Sequence, residues 1–497
     1  MQLADILRSV HIKSVSGSLE TEIDSLCHDS RRAGEGALFF ALPGVKTDGS
    51  GFIGQAVEAG AAAVVSEKPY PAESSVPWIQ VTDARRAMAR AAAEFYGHPS
   101  RDFPVIGITG TNGKTTTAFL THHLIASSRG RCGLIGTVRY QIGDRTVAAP
   151  HTTPESVDLQ ALLAAMRDED CRAAVMEVSS HALAQQRTGE VRFAVGVFTN
   201  LSQDHLDYHQ SMPAYFAAKR KLFEQMESQG ADTGEPPAMV VNRDDKYGER
   251  LAKANLPHTR LITYGQGVLC DFRAGNIRSD FNGTQFQLSI RGRRMLVRIP
   301  LIGRFNVYNA VAALAAGQAI DLNLREAVRA IADAPQVPGR LESVGDRKIA
   351  FRVYVDYAHT PDALENALKT VRDLEPRRVI TVFGCGGDRD RGKRPKMGRV
   401  ADELSDFAIL TSDNPRTESP AAIIKDTLEG VSSQRVKAIE DRREAIAEAI
   451  RMAGDRDIVL IAGKGHETYQ EIDGVRHPFD DREVAKRFIV DRVEGNL

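Results

Sequence analysis

From residue 103 onward, short apolar runs alternate with helical stretches, and polar or glycine clusters follow the runs closely. No other feature restricts the fold of this chain as much. Such alternation is the signature of βαβ units, and hence of an α/β fold on mostly parallel sheets. The strand candidates are 103–108, 173–176, 350–355, 378–383, 407–410 and 457–461. Behind such runs stand Thr109-Gly110, Glu177-Val-Ser-Ser, Asn200-Leu-Ser, Asp356-Tyr-Ala-His, Gly384-Cys-Gly-Gly-Asp, Asp413-Asn-Pro-Arg and Gly463-Lys-Gly-His-Glu. Open α/β sheets bind ligands beyond the carboxyl ends of their strands. The clusters occur in both the middle and the last parts of the chain, so two sheets with facing ligand edges, joining two or more bound substrates, are expected.

Domain organisation follows from the breaks. The first hundred residues carry apolar runs at 37–42 and 61–65 with turns at Pro43-Gly44 and Asp48-Gly49. A helix over 84–96 then stops at Gly97-His98-Pro99, and a Pro/Gly-rich break falls at 334–339. With 497 residues and roughly 150 per domain, two to four domains are expected. Three fit best: 1–98, 99–337 and 338–497. The formal net charge of −1 provides no global field for a nucleic-acid backbone, so no nucleic-acid partner is expected. No apolar run approaches the roughly 18 residues of a membrane helix, and the N-terminus lacks a signal-peptide pattern. The five cysteines (27, 132, 171, 270 and 385) include no CxxC pair and form neither a disulfide framework nor a zinc site. A soluble protein of a reducing compartment is expected.

Several motifs carry chemistry. The strand at 103–108 runs into Thr109-Gly-Thr-Asn-Gly-Lys-Thr-Thr. Its glycines let the backbone wrap a phosphate, the following helix N-terminus faces the anion, and Lys114 adds a point charge. Thr115 is the hydroxyl placed to ligate Mg²⁺. Position 108 is Ile, so the strict GxxxxGK[ST] pattern is not met. Glu177 closes a strand where a metal-facing acid belongs, and Asp204-His205-Leu-Asp207-Tyr208-His209 suits Mg²⁺ better than zinc, although a metal-free polar loop is the alternative. Lys219 falls on the apolar stripe Met212, Tyr215, Phe216, Leu222, Phe223, Met226; it is either a snorkelling lysine or one directed at a site. Arg389, Arg391, Lys393, Arg394 and Arg416 stand beside acids and amides, an arrangement that fits a zwitterionic ligand or, in the plainer alternative, surface ion pairs.

Together, TGTNGKTT, MEVSSH, TNLSQDHLDYH, YFAAK, PGR, VDYAHTPD, FGCGGDRD, DNPR and AGKGHE resemble the Mur ligases in kind and order. The likeness spans essentially the whole chain and is strongest from about 103 to 480. It implies an N-terminal uridine-nucleotide-binding α/β domain, a central P-loop ATPase and a C-terminal Rossmann-like domain. By motif, Gly110, Thr111, Asn112, Gly113, Lys114, Thr115 and Thr116 cradle ATP, with Asn309, Arg340, Asp356 and His359 near its adenine, ribose or phosphates. Lys114, Glu177, His205 and Lys219 match catalytic positions, and Thr115, Glu177, His205 and Lys219 the Mg²⁺ site. Lys219 matches the lysine that the family carbamylates. Ser30, Thr152, Thr153, Ser179, Gln185 and Arg187 match contacts to a UDP-linked acceptor. His28 and the loop Val45, Lys46, Thr47 stand at acceptor positions but depart from the usual wording.

Members with DNPR resemble the enzymes that add meso-diaminopimelate. Arg389 and Arg416 are placed for its distal carboxylate; Asp413, Asn414, Pro415, Gly463 and Glu467 complete its site. A site built for a hydrogen-bonded group rejects analogues lacking it by on the order of 10⁴ or more. The expected activity is ATP-dependent amide formation on UDP-N-acetylmuramoyl-L-alanyl-D-glutamate, in peptidoglycan precursor synthesis and hence cell-wall biogenesis, cell shape and division. The expected setting is a cytoplasmic monomer with small-molecule substrates and no integral membrane segment. The alternatives are a ligase for L-lysine or a folate-linked glutamate, or a nucleotide-dependent switch without ligase chemistry.

Overall fold

The computed structural model describes residues 1–44, 48–69, 74–345, 349–495 and 497. Val45, Lys46 and Thr47 lie outside the described residues. The chain divides into two compact units: Met1–Arg273 with Tyr308–Ala330, and Ala274–Val307 with Ile331–Leu497. Both are α/β, as the alternation predicts.

The first unit contains a five-stranded sheet near the N-terminus, with Ala37–Ala41 and Ala61–Ser66 at its centre. The adjoining helix Ala84–Phe95 begins where Asp83 accepts a hydrogen bond from the Arg86 amide. Small alanines on its inner face allow close packing. A larger sheet follows. Its central strand Val105–Thr109 pairs in parallel with Ala174–Glu177 on one side and Phe193–Phe198 on the other. All five residues of Val105–Thr109 are buried, which accounts for an apolar run without alternation. Helix Met212–Thr233 starts at Ser211, which accepts from the Ala214 amide, with Pro213 in the first turn. Tyr215, Phe216, Leu222, Phe223 and Met226 on its inner stripe join the main core of this unit. Each such side chain contributes roughly 1.5–3 kcal/mol by burial.

The second unit is built on a six-stranded sheet ordered Glu342–Val344, Arg352–Asp356, Ile458–Ala462, Val379–Phe383, Phe407–Leu410 and Val436–Ala438. Only the first pair is antiparallel. Alternate residues feed two cores: Tyr354, Leu460 and Phe383 on one face, Val353, Ile461 and Val382 on the other. Ile458–Ala462 lies between two earlier strands, so the strand order reverses beside it. A ligand-binding crevice is expected at that reversal, beyond the carboxyl ends of the strands.

Several strands end one residue later than the periodicity predicts. The segment expected at 350–355 is Arg352–Asp356, and 457–461 is Ile458–Ala462. The reason is the ladder itself, which pairs Asp356 with Ala462 and so carries the sheet into the polar clusters. No helix among the described residues is long and apolar enough to cross a membrane.

Candidate active site

In the first unit, strand Val105–Thr109 delivers residues 110–113 to helix Lys114–Arg129. Gly110 and Gly113 have φ of +150° and +85°, and a Cβ there would lie 1.9 Å from Thr199 Oγ1 and 2.3 Å from Asn309 Oδ1. The loop therefore requires glycine at both positions for conformation and for space. Lys114 Nζ curls back to donate to the carbonyls of Gly110 (3.0 Å) and Thr111 (2.9 Å). Asn112 donates its amide to Asn200 Oδ1 (3.0 Å), and the Thr111 hydroxyl reaches Tyr215 Oη at 3.3 Å. Thr116 is buried in the first helical turn, and Thr117 Oγ1 donates to Asn309 Oδ1 at 3.3 Å.

Lys219 is buried, with Nζ donating to the Gly110 carbonyl at 2.7 Å and standing 4.6 Å from the Tyr215 ring centre. Burial, and then the Lys114 ammonium, hold its pKa well below the usual lysine value. Two lysine side chains thus converge on one carbonyl oxygen. The snorkelling alternative for Lys219 fails, because its amine is directed inward.

Glu177 Oε2 accepts from Thr115 Oγ1 (2.9 Å) and Thr137 Oγ1 (3.2 Å), while Oε1 accepts from the Thr137 amide (2.8 Å). Among the described residues no hydrogen bond or ion pair joins Glu177 to His205 or Lys219. His205, at φ +53°, belongs instead to a ring cluster, 4.9 Å from His181 and 6.1 Å from Tyr215. Burial lowers the pKa of His205, and it pushes His181 down to about 4.

Hydrogen bonds in this unit run from Glu177 through Thr137 to Thr152 and through Thr153 to Arg187, while, among the described residues, Ser30 and His28 stand apart from them. Thr152 and Thr137 share a hydroxyl contact at 3.1 Å. Thr153 Oγ1 donates to the Glu177 carbonyl (2.8 Å) and accepts from the Ser179 amide (3.1 Å). Arg187 donates to the Thr153 carbonyl (2.8 Å) and to Gln185 Oε1 (2.7 Å), and it pairs with Glu155 at 3.0 Å. Ser30 Oγ donates to Gln55 Oε1 at 2.8 Å. His28 is half-buried; burial lowers its pKa against the opposing charges of Glu155 and Asp158.

The second unit carries two groups at its strand ends. Asp356 accepts from the amides of Leu341 (2.7 Å) and Ala358 (2.9 Å), and burial raises its pKa against the pull of Arg340. The Arg340 guanidinium lies 5.1 Å from the Tyr357 ring centre, and His359 Nδ1 is 2.9 Å from the Tyr357 carbonyl. Nearby, Asp413 Oδ1 accepts from the Asn414 amide at 2.7 Å, while its buried Oδ2 has no hydrogen-bond partner among the described residues. Asn414 Nδ2 donates to Glu467 Oε2 at 2.8 Å. Arg416, at φ +52°, donates to the Gly387 carbonyl at 2.7 Å and lies 3.6 Å from Glu471. A Cβ on Gly387 would stand 1.9 Å from the Pro415 carbonyl, and one on Gly463 2.5 Å from Asp413 Oδ2. Those glycines let three chain segments meet. Arg389 is exposed, and among the described residues its side chain donates only to the neighbouring Asp388 carbonyl, at 3.3 Å. Arg391 and Arg394 are instead consumed in ion pairs with Glu418, and Arg394 also with Asp426.

Three family models match: the Mur ligase middle domain at 108–317, the Mur ligase glutamate ligase domain at 339–465, and the Mur ligase family catalytic domain at 22–96. A UDP-N-acetylmuramoyl-L-alanyl-D-glutamate–2,6-diaminopimelate ligase from Geobacter metallireducens is 47% identical, with 98% of each chain covered. The chain belongs to the Mur ligase family. A solved structure of a ligase with that same description shares 35% identity and a TM-score of 0.71, covering 99% of each chain. The fold also matches a MurF ligase from Thermotoga maritima solved with ADP, at a TM-score of 0.61, 16% identity, and coverage of 96% of this chain and 98% of the other.

In this Mur ligase, residue patterns alone miss three groups. Thr137 supplies two of the bonds that hold Glu177, yet nothing in the surrounding sequence marks it. His181 sits in the ring cluster around His205, and only its place in MEVSSH hints at that. Lys464 is completely buried, with Nζ 2.9 Å from Asn414 Oδ1 and 3.4 Å from Glu467 Oε2. Its visible signal is a lysine between two glycines at a strand end.

Proposed function

We propose that the chain joins meso-2,6-diaminopimelate to UDP-N-acetylmuramoyl-L-alanyl-D-glutamate at the expense of ATP, as its relatives' names describe. The observation that carries this reading is that the second unit holds both acids and arginines: Asp413, with its unpaired Oδ2, and Glu467 for an amine, and Arg416 and Arg389 for a carboxylate. Lysine offers an amine there but no distal carboxylate.

The acceptor carboxylate attacks the γ-phosphorus of ATP, forming an acyl phosphate and releasing ADP. The amine then adds to the acyl carbon, loses a proton, and expels phosphate as the amide forms. Lys114 and the amides of residues 110–116 hold the phosphates and neutralise charge as it shifts. Thr115 and Glu177 are an oxygen pair in contact, a donor set suited to Mg²⁺ bound jointly with phosphate oxygens. Mg²⁺ held there supplies charge neutralisation at the transferring phosphoryl group. His205 is assigned to the same centre, and as a neutral imidazole it adds no further positive charge.

Lys219 is read as the carbamylated lysine. Burial, and then Lys114, favour its uncharged amine, the form that adds to CO₂ with loss of one proton. Carbamylation replaces an amine, which repels a cation whenever it is protonated, with an anion that attracts one. Ser30, His28, Thr152, Thr153, Ser179, Gln185 and Arg187 are assigned to the UDP-linked acceptor; Asn309 in the first unit and Arg340, Asp356 and His359 in the second are assigned to the nucleotide. The segments 1–98, 99–337 and 338–497 are assigned to acceptor, ATP and amino acid. The protein is read as a cytoplasmic monomer.

The test is phosphate release by the purified chain with ATP, Mg²⁺ and the UDP-linked dipeptide, adding meso-diaminopimelate or L-lysine separately. Release that depends on meso-diaminopimelate, with the tripeptide product seen by mass, is expected. Dependence on lysine would overturn the reading of Arg416, and release without any amino acid would overturn the ligase.

A further inference from the structure

Asn414 binds both acids of the amino-acid site. Its backbone amide donates to Asp413 Oδ1 at 2.7 Å, and its side-chain Nδ2 donates to Glu467 Oε2 at 2.8 Å. Each acid therefore has one oxygen tied down. Asp413 Oδ2 has no hydrogen-bond partner, and no hydrogen bond to Glu467 Oε1 is seen among the described residues. The absence of a side chain at Gly463 leaves open the approach to Asp413 Oδ2, which a Cβ would meet at 2.5 Å. Two acid oxygens beside such an opening form a receptor for an ammonium group.

This receptor works only if the Asn414 amide is turned one way. Asn side chains are near-symmetric in shape, so the partners decide which end is oxygen. Two donors meet its oxygen: Lys464 Nζ at 2.9 Å and the Glu471 amide at 3.0 Å. With the oxygen thus pinned, Nδ2 must face Glu467. Lys464 also approaches Glu467 Oε2 directly at 3.4 Å. Burial pushes the Glu467 carboxyl up, and Lys464 is the largest influence pulling it back down. Its ammonium is completely buried, 5.5 Å from the Tyr469 ring centre.

We infer that Lys464 is the positioning residue of the amine receptor: it pins the Asn414 amide and supplies the buried positive charge beside Glu467, so that Asp413 and Glu467 each present an oxygen to the amine of the incoming amino acid. This rests on the proposed ligase reading, but it concerns whichever amine the enzyme uses. Lys464 touches neither reacting atom; it acts through Asn414 and Glu467.

The test measures product formation with meso-diaminopimelate and with L-lysine, first for the wild type and then for Lys464→Met and Lys464→Gln. Lys464→Met is expected to raise KM for the amino acid used by about 10- to 100-fold, the effect of leaving buried polar groups unpaired. KM for ATP and for the UDP-linked acceptor should stay within about 2-fold. Lys464→Gln keeps a donor for Asn414 but no charge, so it should fall between Lys464→Met and wild type. It also supplies the measurement if Lys464→Met does not fold. Combined with Asn414→Ala, Lys464→Met should add much less than its single effect, since both act through one amide. Equal rises in all three KM values, or full additivity with Asn414→Ala, would overturn the inference. A wild type that prefers lysine would overturn the substrate reading alone, while the Lys464 variants still decide this one.

Discussion

The two ligand-facing regions use charge in opposite ways. At the phosphate loop of the first unit, Lys114 and Lys219 converge on the carbonyl of Gly110. Acid enters there through Glu177, which hydroxyls and an amide already hold. Lys114 is the cation proposed to meet a polyanion there. The region of the second unit proposed for the amino acid mixes both signs: Asp413 is tied to the Asn414 amide, Glu467 stands beside Lys464, and Arg416 beside Glu471. That mixture suits a zwitterion. A phosphate site can so be built by turning lysine side chains onto backbone oxygen. A site for a zwitterion is built by tying down one oxygen of each acid and leaving the other.

The largest expected effect tests the first half of this contrast. Lys114→Met should lower kcat on the order of 10³-fold, the scale of losing one transition-state charge contact, with KM for the amino acid nearly unchanged. A matching rise in amino-acid KM would erase the distinction between the regions. Next, Lys219→Ala should cost about 10²-fold in kcat and recover in part with added short-chain carboxylic acids. Native mass should show one added CO₂ on the wild type. An unmodified amine with no rescue would leave Lys219 only a structural donor to Gly110.

Arg416→Lys tests the second half. A lysine cannot reproduce the planar fork, so KM for meso-diaminopimelate should rise roughly 10- to 100-fold, far more than KM for ATP. Equal rises would place Arg416 outside the amino-acid site. The smallest effect belongs to a closed network. Arg394 and the Asp388 amide hold the Glu418 carboxyl at about 2, below the usual 4.5. Because the folded value is depressed, its contribution to stability is full above pH 4.5 and is lost as pH falls towards 2. Wild type should therefore unfold at slightly higher temperature than Glu418→Gln at neutral pH, and the gap should close across that acid window. A gap independent of pH would mean that Glu418 stabilises by packing instead of by charge.

Several of the candidate site positions are conspicuous in the sequence alone. Lys219 stands out because the residues around it repeat at helical spacing, so a cation on the stripe is conspicuous. Glu177 and Asp413 stand out because acids end apolar runs. The alternation of runs and helices specified the α/β class, because strands buried on both faces must be apolar throughout. Arg391 and Arg394 stand in the sequence as plausible ligand residues, and only their partners show otherwise: Glu418 takes both, and Asp426 also takes Arg394.

What the sequence determined by itself was periodicity and local conformation: where strands and helices run, which turns demand glycine, and which residue types cluster at strand ends. Those follow from the backbone and its nearest neighbours. The tertiary structure alone decided which polar atoms meet. Thr137 is 40 residues from Glu177, and Lys464 is 50 from Asn414. Hydrogen bonds act over about 3 Å, and chain separation carries no record of that distance until the sheets have formed.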